Sequence, residues 1–392
     1  MRAILYTGKG GVGKTTLAAA TALGSTDAGR RTLVISTDIA HSLADALGEP
    51  LANEPRLVAG GPLEACELDT GAELERYWGD IKRRIAGALQ ERGVQAPVAG
   101  ELAVLPGLDE ILALVRIKRY LESEAYDILI IDSAPTGAAM RLLGAPDLQR
   151  WYTQNLLGFK GLGRLLLPAA RGVLNLPINE ARIQAQLEEL FQQVGVLRGL
   201  LTDPAITSVR LVLNPDYLSL QETQRAHTYL SLFGLNVDAV LVNRMLPEAV
   251  VDPYFAEWKA DQARYLELIR STFEPLPVFE VPLRQKEVVG VPALRQLSTE
   301  LFGHSDPSRR LSHEQTLRFF TEGGRQLLAL RVSGVTTETV SLEKQGNLLR
   351  VRLGQVRRTI ILPDYLAALQ PAWARLAGGE LQVAFQEPTK PA

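Results

Sequence analysis

The sequence predicts an α/β protein: a doubly wound, mostly parallel sheet with a helical subdomain, followed by a small antiparallel β-sandwich domain. Three observations predict it. Short, almost continuously apolar runs alternate with helical patterns through roughly the first 300 residues, as expected of strands buried on both faces. A glycine-rich loop, "GKGGVGKTT", separates the first such run from the first helix. Near residue 300 the texture changes to apolar–polar alternation, the period of half-buried strands.

Taken in order, "AILYT" (3–7), "TLVIST" (32–37), "DILIID" (127–132), "SVRLVLN" (208–214) and "VDAVLVN" (237–243) are the expected parallel strands. Helices are expected over 14–23, 111–122, 220–232 and 251–273. Residues 151–201 read as a helical subdomain, dense in apolar side chains such as Trp151, Tyr152, Leu156 and Phe159. Within it a helix over 179–194 spaces Ile183, Leu187, Leu190, Phe191 and Val194 on one face. An open groove and a closed core both fit this spacing. The first domain is expected to span 1–305, with a linker and a helix in 306–330, the helix covering about 314–330. The β domain then takes 331–392, with strands around Val340 and Leu342, around Leu349, Val351 and Leu353, over 359–362 and over 380–386.

Composition narrows the function classes. The chain has 392 residues, 46% of them hydrophobic, enough for a large core. Basic and acidic residues number 42 and 44, so no charge excess points to nucleic acid or to a membrane surface. A single cysteine, Cys66, excludes internal disulfides and multi-cysteine metal sites within one chain. The start "MRAILYTGKGG" leaves no room for a leader, and no apolar run has the length of a membrane span, so a soluble, cytoplasmic protein is expected.

The loop carries the chemistry. Gly8, Gly13, Lys14 and Thr15 satisfy the G-x-x-x-x-G-K-[ST] pattern, with a strand before and a helix after. Gly8, Gly10, Gly11 and Gly13, with Val12 between them, let backbone N–H groups turn inward on phosphate oxygens, and the helix adds its positive end. Lys14 is expected to bridge the β and γ phosphates of ATP, Thr15 to offer its hydroxyl to Mg2+, and Thr16 to bond the α phosphate. Lys9 is a second lysine on a loop that needs one. In its own subunit it has little to bind, but a second copy placed face to face would bring it against the other nucleotide. There a cation neutralises charge as the γ-phosphate leaves.

"GKGGVGKTT" resembles the deviant phosphate-loop ATPases: the ParA/MinD group, the nitrogenase iron protein and the arsenite-pump/tail-anchored-protein-targeting family. In that superfamily the first lysine reaches across a nucleotide-sandwich dimer, so the resemblance implies a homodimer with Lys9 catalytic in trans. "STDIAHSLADAL" (36–47) resembles the family's switch I. It implies that Asp38 orients the attacking water near Mg2+, with His41 a supporting residue and Ile39 standing where the family has proline. "YDILIIDSAPTGAAMRLL" (126–143) resembles its Walker B strand and switch II. It implies that Asp132 holds Mg2+ through water and that Ser133, Pro135, Thr136 and Gly137 sense the γ phosphate, with Ala138 in place of a histidine. The stretch 203–246 and "VPLRQKE" imply that Asn243 bonds adenine and that Pro282 and Leu283 close over the base. "PGLDEILAL" (106–114) also resembles the family.

Of these groups only the arsenite-pump/tail-anchored-protein-targeting family matches throughout. The iron protein needs two cluster cysteines per subunit, and this chain has one cysteine in all. The resemblance implies an Mg2+-dependent ATPase whose dimer presents a hydrophobic surface to client proteins, tail-anchored membrane proteins and a membrane receptor among the candidate partners. The alternative is the ATPase subunit of an arsenite-type anion efflux system. That pump joins two homologous halves and binds arsenite through thiolates, and this chain has one half and no cysteine cluster. The C-x-x-C zinc clamp of the eukaryotic targeting factors is likewise missing, so no zinc is expected. Residues 332–387, "RRTIILP" above all, resemble the α-crystallin domain of small heat-shock proteins, which implies either a client-holding module or a cap.

Overall fold

The computed structural model describes residues 1–37, 42–58, 61–90, 95–96, 108–132 and 180–387. Asp38, Ile39, His41, Ser133, Pro135, Thr136, Gly137, Ala138 and residues 151–179 lie outside them. The chain divides into two compact units, one of Met1–Glu67, Ser123–Ala134 and Leu201–Ala392, the other of Leu68–Glu122 and Pro135–Leu200.

The first unit is built on a sheet of order β3-β4-β2-β5-β1-β6-β7-β8. Its strands are β1 (Arg2–Thr7), β2 (Thr32–Ser36), β3 (Arg56–Leu57), β4 (Glu64–Glu67), β5 (Ile128–Asp132), β6 (Thr207–Leu213), β7 (Val237–Met245) and β8 (Val278–Pro282). All pair in parallel except β3 with β4. Every residue of β2, β5 and β6 is buried, in keeping with their almost continuously apolar sequences; the exceptions, such as Ser208 and Arg210 on β6, are buried polar groups. Helix α1 (Lys14–Asp27) is the most deeply set, with Leu17 to Leu23 buried without a break. Helices α2 (Ser42–Leu47), α6 (Tyr217–Leu232), α7 (Ala256–Phe273) and α8 (Val291–Phe302) complete the sheet's cover. The second unit contains α3 (Thr70–Gln90), α4 (Leu108–Glu122) and most of α5 (Glu180–Thr202). Asp69 caps α3 through the Ala72 N–H (2.9 Å), and a buried Glu73–Arg116 ion pair joins α3 to α4.

Residues 317–331 correct the sequence reading. In place of the helix expected over 314–330, the chain forms a hairpin of β9 (Leu317–Glu322) and β10 (Arg325–Arg331). Gly323 and Gly324, both at positive φ, make the two-residue turn that suits the twist of an antiparallel pair. The hairpin belongs to a four-stranded sheet, β14-β15-β10-β9, with β14 (Gln370–Ala377) and β15 (Glu380–Gln386). The β domain therefore starts well before residue 331. A second sheet holds β11 (Val340–Gln345), β12 (Leu348–Leu353) and β13 (Val356–Ile361). On β12, Leu349, Val351 and Leu353 are buried while Arg350 and Arg352 are exposed, the alternation that marked this segment as a strand.

The β domain is fastened to the sheet's amino-terminal edge. Asp238, fully buried at the start of β7, accepts from Arg2 Nη2 and Ser208 Oγ (2.9 Å each) and from the Leu311 N–H (3.2 Å). Arg210, also fully buried, pairs with Asp238 and donates to the Pro307 carbonyl (2.7 Å). Further along, Thr316 bonds Asn236 and Leu235, and His227 and Thr228 of α6 bond Ser333.

Candidate functional site

The loop after β1 enters α1 at the carboxyl edge of the parallel strands, where ligands bind in open α/β sheets. Two of its glycines, Gly8 and Gly13, are sterically required. A Cβ on Gly8 would sit 2.0 Å from the Val212 carbonyl oxygen, and one on Gly13, at φ 97°, 2.3 Å from Asn243 Nδ2. The Lys14 ammonium donates to the Lys9 carbonyl (3.2 Å), a main-chain bond it can exchange for phosphate. Lys9 itself is half-buried. Asp132 ends β5 in register with Tyr6 of β1 and Ser36 of β2, and it is buried.

A cavity of about 840 Å3 opens over this loop. It brings together Gly10, Gly11, Gly13, Lys14, Thr15 and Thr16 with Asn243, Pro282 and Leu283, residues up to 273 positions apart (283 − 10). Gly8, Lys9, Val12 and Asp132 do not line it. Val12 touches the site through its carbonyl, which accepts from Asn243 Nδ2 (2.7 Å), while Asn243 Oδ1 accepts from the Arg244 N–H (2.9 Å). Both ends of the amide are thereby oriented.

The cavity also holds residues that sequence reasoning passed over. Ser42 opens α2 with its hydroxyl 3.1 Å from that of Thr15. Arg244, a non-glycine residue at φ 58°, is locally strained, the kind of conformation that persists where surrounding contacts hold it. Gln262 provides that hold, donating to the Arg244 carbonyl and accepting from the Leu246 N–H. Arg244, Arg284 and Lys286 make the rim basic. Arg284 pairs with Glu300, and its hydrogen bond holds that carboxyl below the ordinary range. The positive φ of Arg244 and the long-range pairing of Ser42 have no signature in local periodicity.

A glycine cradle, a helix amino terminus, two lysines and a basic-rimmed cavity suit a polyphosphate nucleotide, and the family comparison decides its use. The "Anion-transporting ATPase" family pattern matches residues 1–303. The chain belongs to this family. It hydrolyses ATP on a P-loop fold, as the family does, and a second pattern, "HSP20-like domain found in ArsA", matches residues 323–385. The chain is 35% identical to "Putative arsenical pump-driving ATPase 1" of Aquifex aeolicus, over 98% of this chain and 99% of that one. It is 35% identical to "Putative arsenical pump-driving ATPase" of Chlorobaculum tepidum, over 98% and 96%. "ATPase get3" of Schizosaccharomyces japonicus is 30% identical, over 75% of this chain and 90% of that one. Among the described residues of this ATPase no helix is long and apolar enough to cross a membrane.

Proposed function

We propose that this ATPase is a homodimeric targeting factor or chaperone. ATP closes two copies face to face, the closed form holds hydrophobic, transmembrane-helix-like segments of clients, and hydrolysis releases them. Tail-anchored membrane proteins are the proposed clients, delivered to a membrane receptor. In this reading the phosphates lie on the backbone of Gly8, Gly10, Gly11, Val12 and Gly13 and against Lys14 and Thr16. Asn243 bonds the adenine, with Pro282 and Leu283 over it. Asp38 orients the attacking water, Ser133, Pro135, Thr136 and Gly137 respond to the γ phosphate, and Lys9 reaches the nucleotide of the second copy. Thr15 and Asp132, hard oxygen donors at the same edge of the sheet, would hold an Mg2+ that neutralises phosphate charge.

The observation that carries the choice of cargo is Cys66. It is the chain's one cysteine and is fully buried on β4, so the protein has no set of accessible thiolates for arsenite. The name of the get3 relative supports the same choice. The second reading, an anion-efflux ATPase subunit, draws on the names of the relatives that match along the whole chain. Pull-down with the hydrolysis-dead Asp38→Asn variant in ATP separates the two. Proteins with a single transmembrane helix should co-purify with ATP and not with ADP. If none does, and arsenite accelerates ATP hydrolysis by the parent protein, the efflux reading replaces the first.

A further inference from the structure

The described residues on either side of 38–41 are each tethered. On one side Thr37 donates its N–H to the Asp132 carbonyl on β5 (3.4 Å). On the other, α2 begins at Ser42, and its Leu43 and Ala44 amides both donate to one carboxylate oxygen, Oε1 of Glu67 (3.0 and 2.9 Å). Helix starts commonly take such bonds from a residue just before the helix. Here the acceptor comes from the last residue of β4, more than twenty positions further along the chain. Glu67 is buried and its own N–H is fixed to the Ala52 carbonyl (3.0 Å). It stands in register with Ser36, which stands in register with Asp132, so the cap rises from the same row of the sheet as the expected Mg2+ carboxylate.

The helix held this way touches the nucleotide site at both ends. Ser42 meets Thr15, and the Ala46 carbonyl accepts from Gly290 (2.9 Å), just past the cavity-lining residues 281–289. Charge-assisted bonds from a buried carboxylate are strong local ties, and losing this one would leave two amides of the helix start unpaired. We propose that Glu67 is a positioning residue for ATP hydrolysis. Its carboxylate fixes the first turn of α2, and through it Ser42 against Thr15 and the downstream tether of the segment that carries Asp38. The inference rests on the reading of Asp38 as the residue that orients water.

The test measures kcat and KM for ATP alongside equilibrium binding of a fluorescent ATP analogue, with hydrolysis expressed per bound nucleotide. Glu67→Ala should bind the analogue within about threefold of the parent affinity, yet lose about tenfold or more in kcat, the cost of a misplaced reacting group. Glu67→Gln, whose amide oxygen can accept the same two bonds, should recover most of that loss. Glu67→Asp keeps the charge but withdraws the acceptor by one methylene, and should fall between them. Should Glu67→Ala fail to bind nucleotide or to unfold cooperatively, Glu67→Asp decides. Unchanged turnover per bound nucleotide in the deciding variant overturns the proposal, as does a Gln variant no better than Ala. Full-rate hydrolysis by Asp38→Asn would sink the Asp38 reading instead. An inactive Asp38→Asn beside a normal Glu67 series sinks this inference alone.

Discussion

The two edges of the central sheet are finished in opposite ways. At the carboxyl edge the chain leaves a cavity of about 840 Å3, rimmed by Arg244 and Lys286 and lined by Gly10, Gly11 and Gly13, the last of which has no room for a side chain. At the amino edge Arg2, Ser208, Arg210 and Asp238 form a polar cluster, with Arg210 and Asp238 also bonded to the linker backbone at Pro307 and Leu311. One edge is completed by a ligand, the other by the chain's own continuation. Substitutions at the first should therefore change catalysis with little change in stability, and substitutions at the second the reverse.

The largest expected effect is at the ligand edge. Lys9→Ala should retain nucleotide binding and unfold like the parent, but lose about a thousandfold in kcat, the scale of a cation supplied across an interface. Mixing it with a Lys14→Ala partner sharpens the point. If Lys9 acts in trans, the Lys9→Ala subunit binds ATP and receives the other copy's intact Lys9, so the mixture should hydrolyse faster than either variant alone. A mixture no faster than the sum of its parts would place Lys9 in cis.

The opposite edge should respond in stability. Asp238→Ala leaves Arg2 and Arg210 buried without their carboxylate, at a cost of about 3 kcal/mol. Denaturant unfolding measures it directly, and limited proteolysis should show earlier cutting in the linker around Pro307. Turnover per folded molecule, well below the transition, should stay at the parent level. A matching fall in turnover would mean that the two edges are coupled through the sheet.

The contrast also explains what could be read from the sequence. The glycine-rich loop between strand and helix and the buried strands are legible because each is a local pattern with a period or a spacing. The hairpin at β9 and β10 reads as a helix in the sequence because Leu317, Phe320, Leu327, Leu328 and Leu330 fall at separations that a helix would also allow. Only the Gly323–Gly324 turn argued otherwise. Glu67, Ser42, Arg210 and Asp238 carry no such signature. Their roles come from pairings across 23 to 236 residues, which exist only once the sheet has set its register.

A smaller effect concerns the seam between α6 and the β domain. Burial holds the His227 imidazole down to about 4, against an ordinary 6.5, and the Arg331 charge pushes the same way. As pH falls below 6.5 the unfolded chain takes up a proton that the folded chain refuses until about 4. The stability associated with a neutral His227 is thus intact above pH 6.5 and lost on acidification, by about 2 kcal/mol at pH 5. His227→Gln, able to keep a bond to Ser333, should flatten that stretch of the stability–pH curve. Parallel curves for the variant and the parent would assign the acid sensitivity to another group.

The smallest effect returns to the ligand edge and tests how finely it is built. Asn243 commits one amide hydrogen to the Val12 carbonyl and one oxygen lone pair to the Arg244 N–H, so the side chain cannot turn over without losing both. One donor and one acceptor remain for a base. Adenine offers the matching acceptor and donor on one edge, whereas guanine offers two acceptors there. Asn243→Ala should raise the KM for ATP by about tenfold, the worth of a hydrogen bond or two. It should also narrow the preference for ATP over GTP, because GTP loses no matched pair. Equal losses for both nucleotides would mean that Asn243 serves only to brace the phosphate loop through Val12, and that base selection lies with Pro282, Leu283 and the rest of the rim.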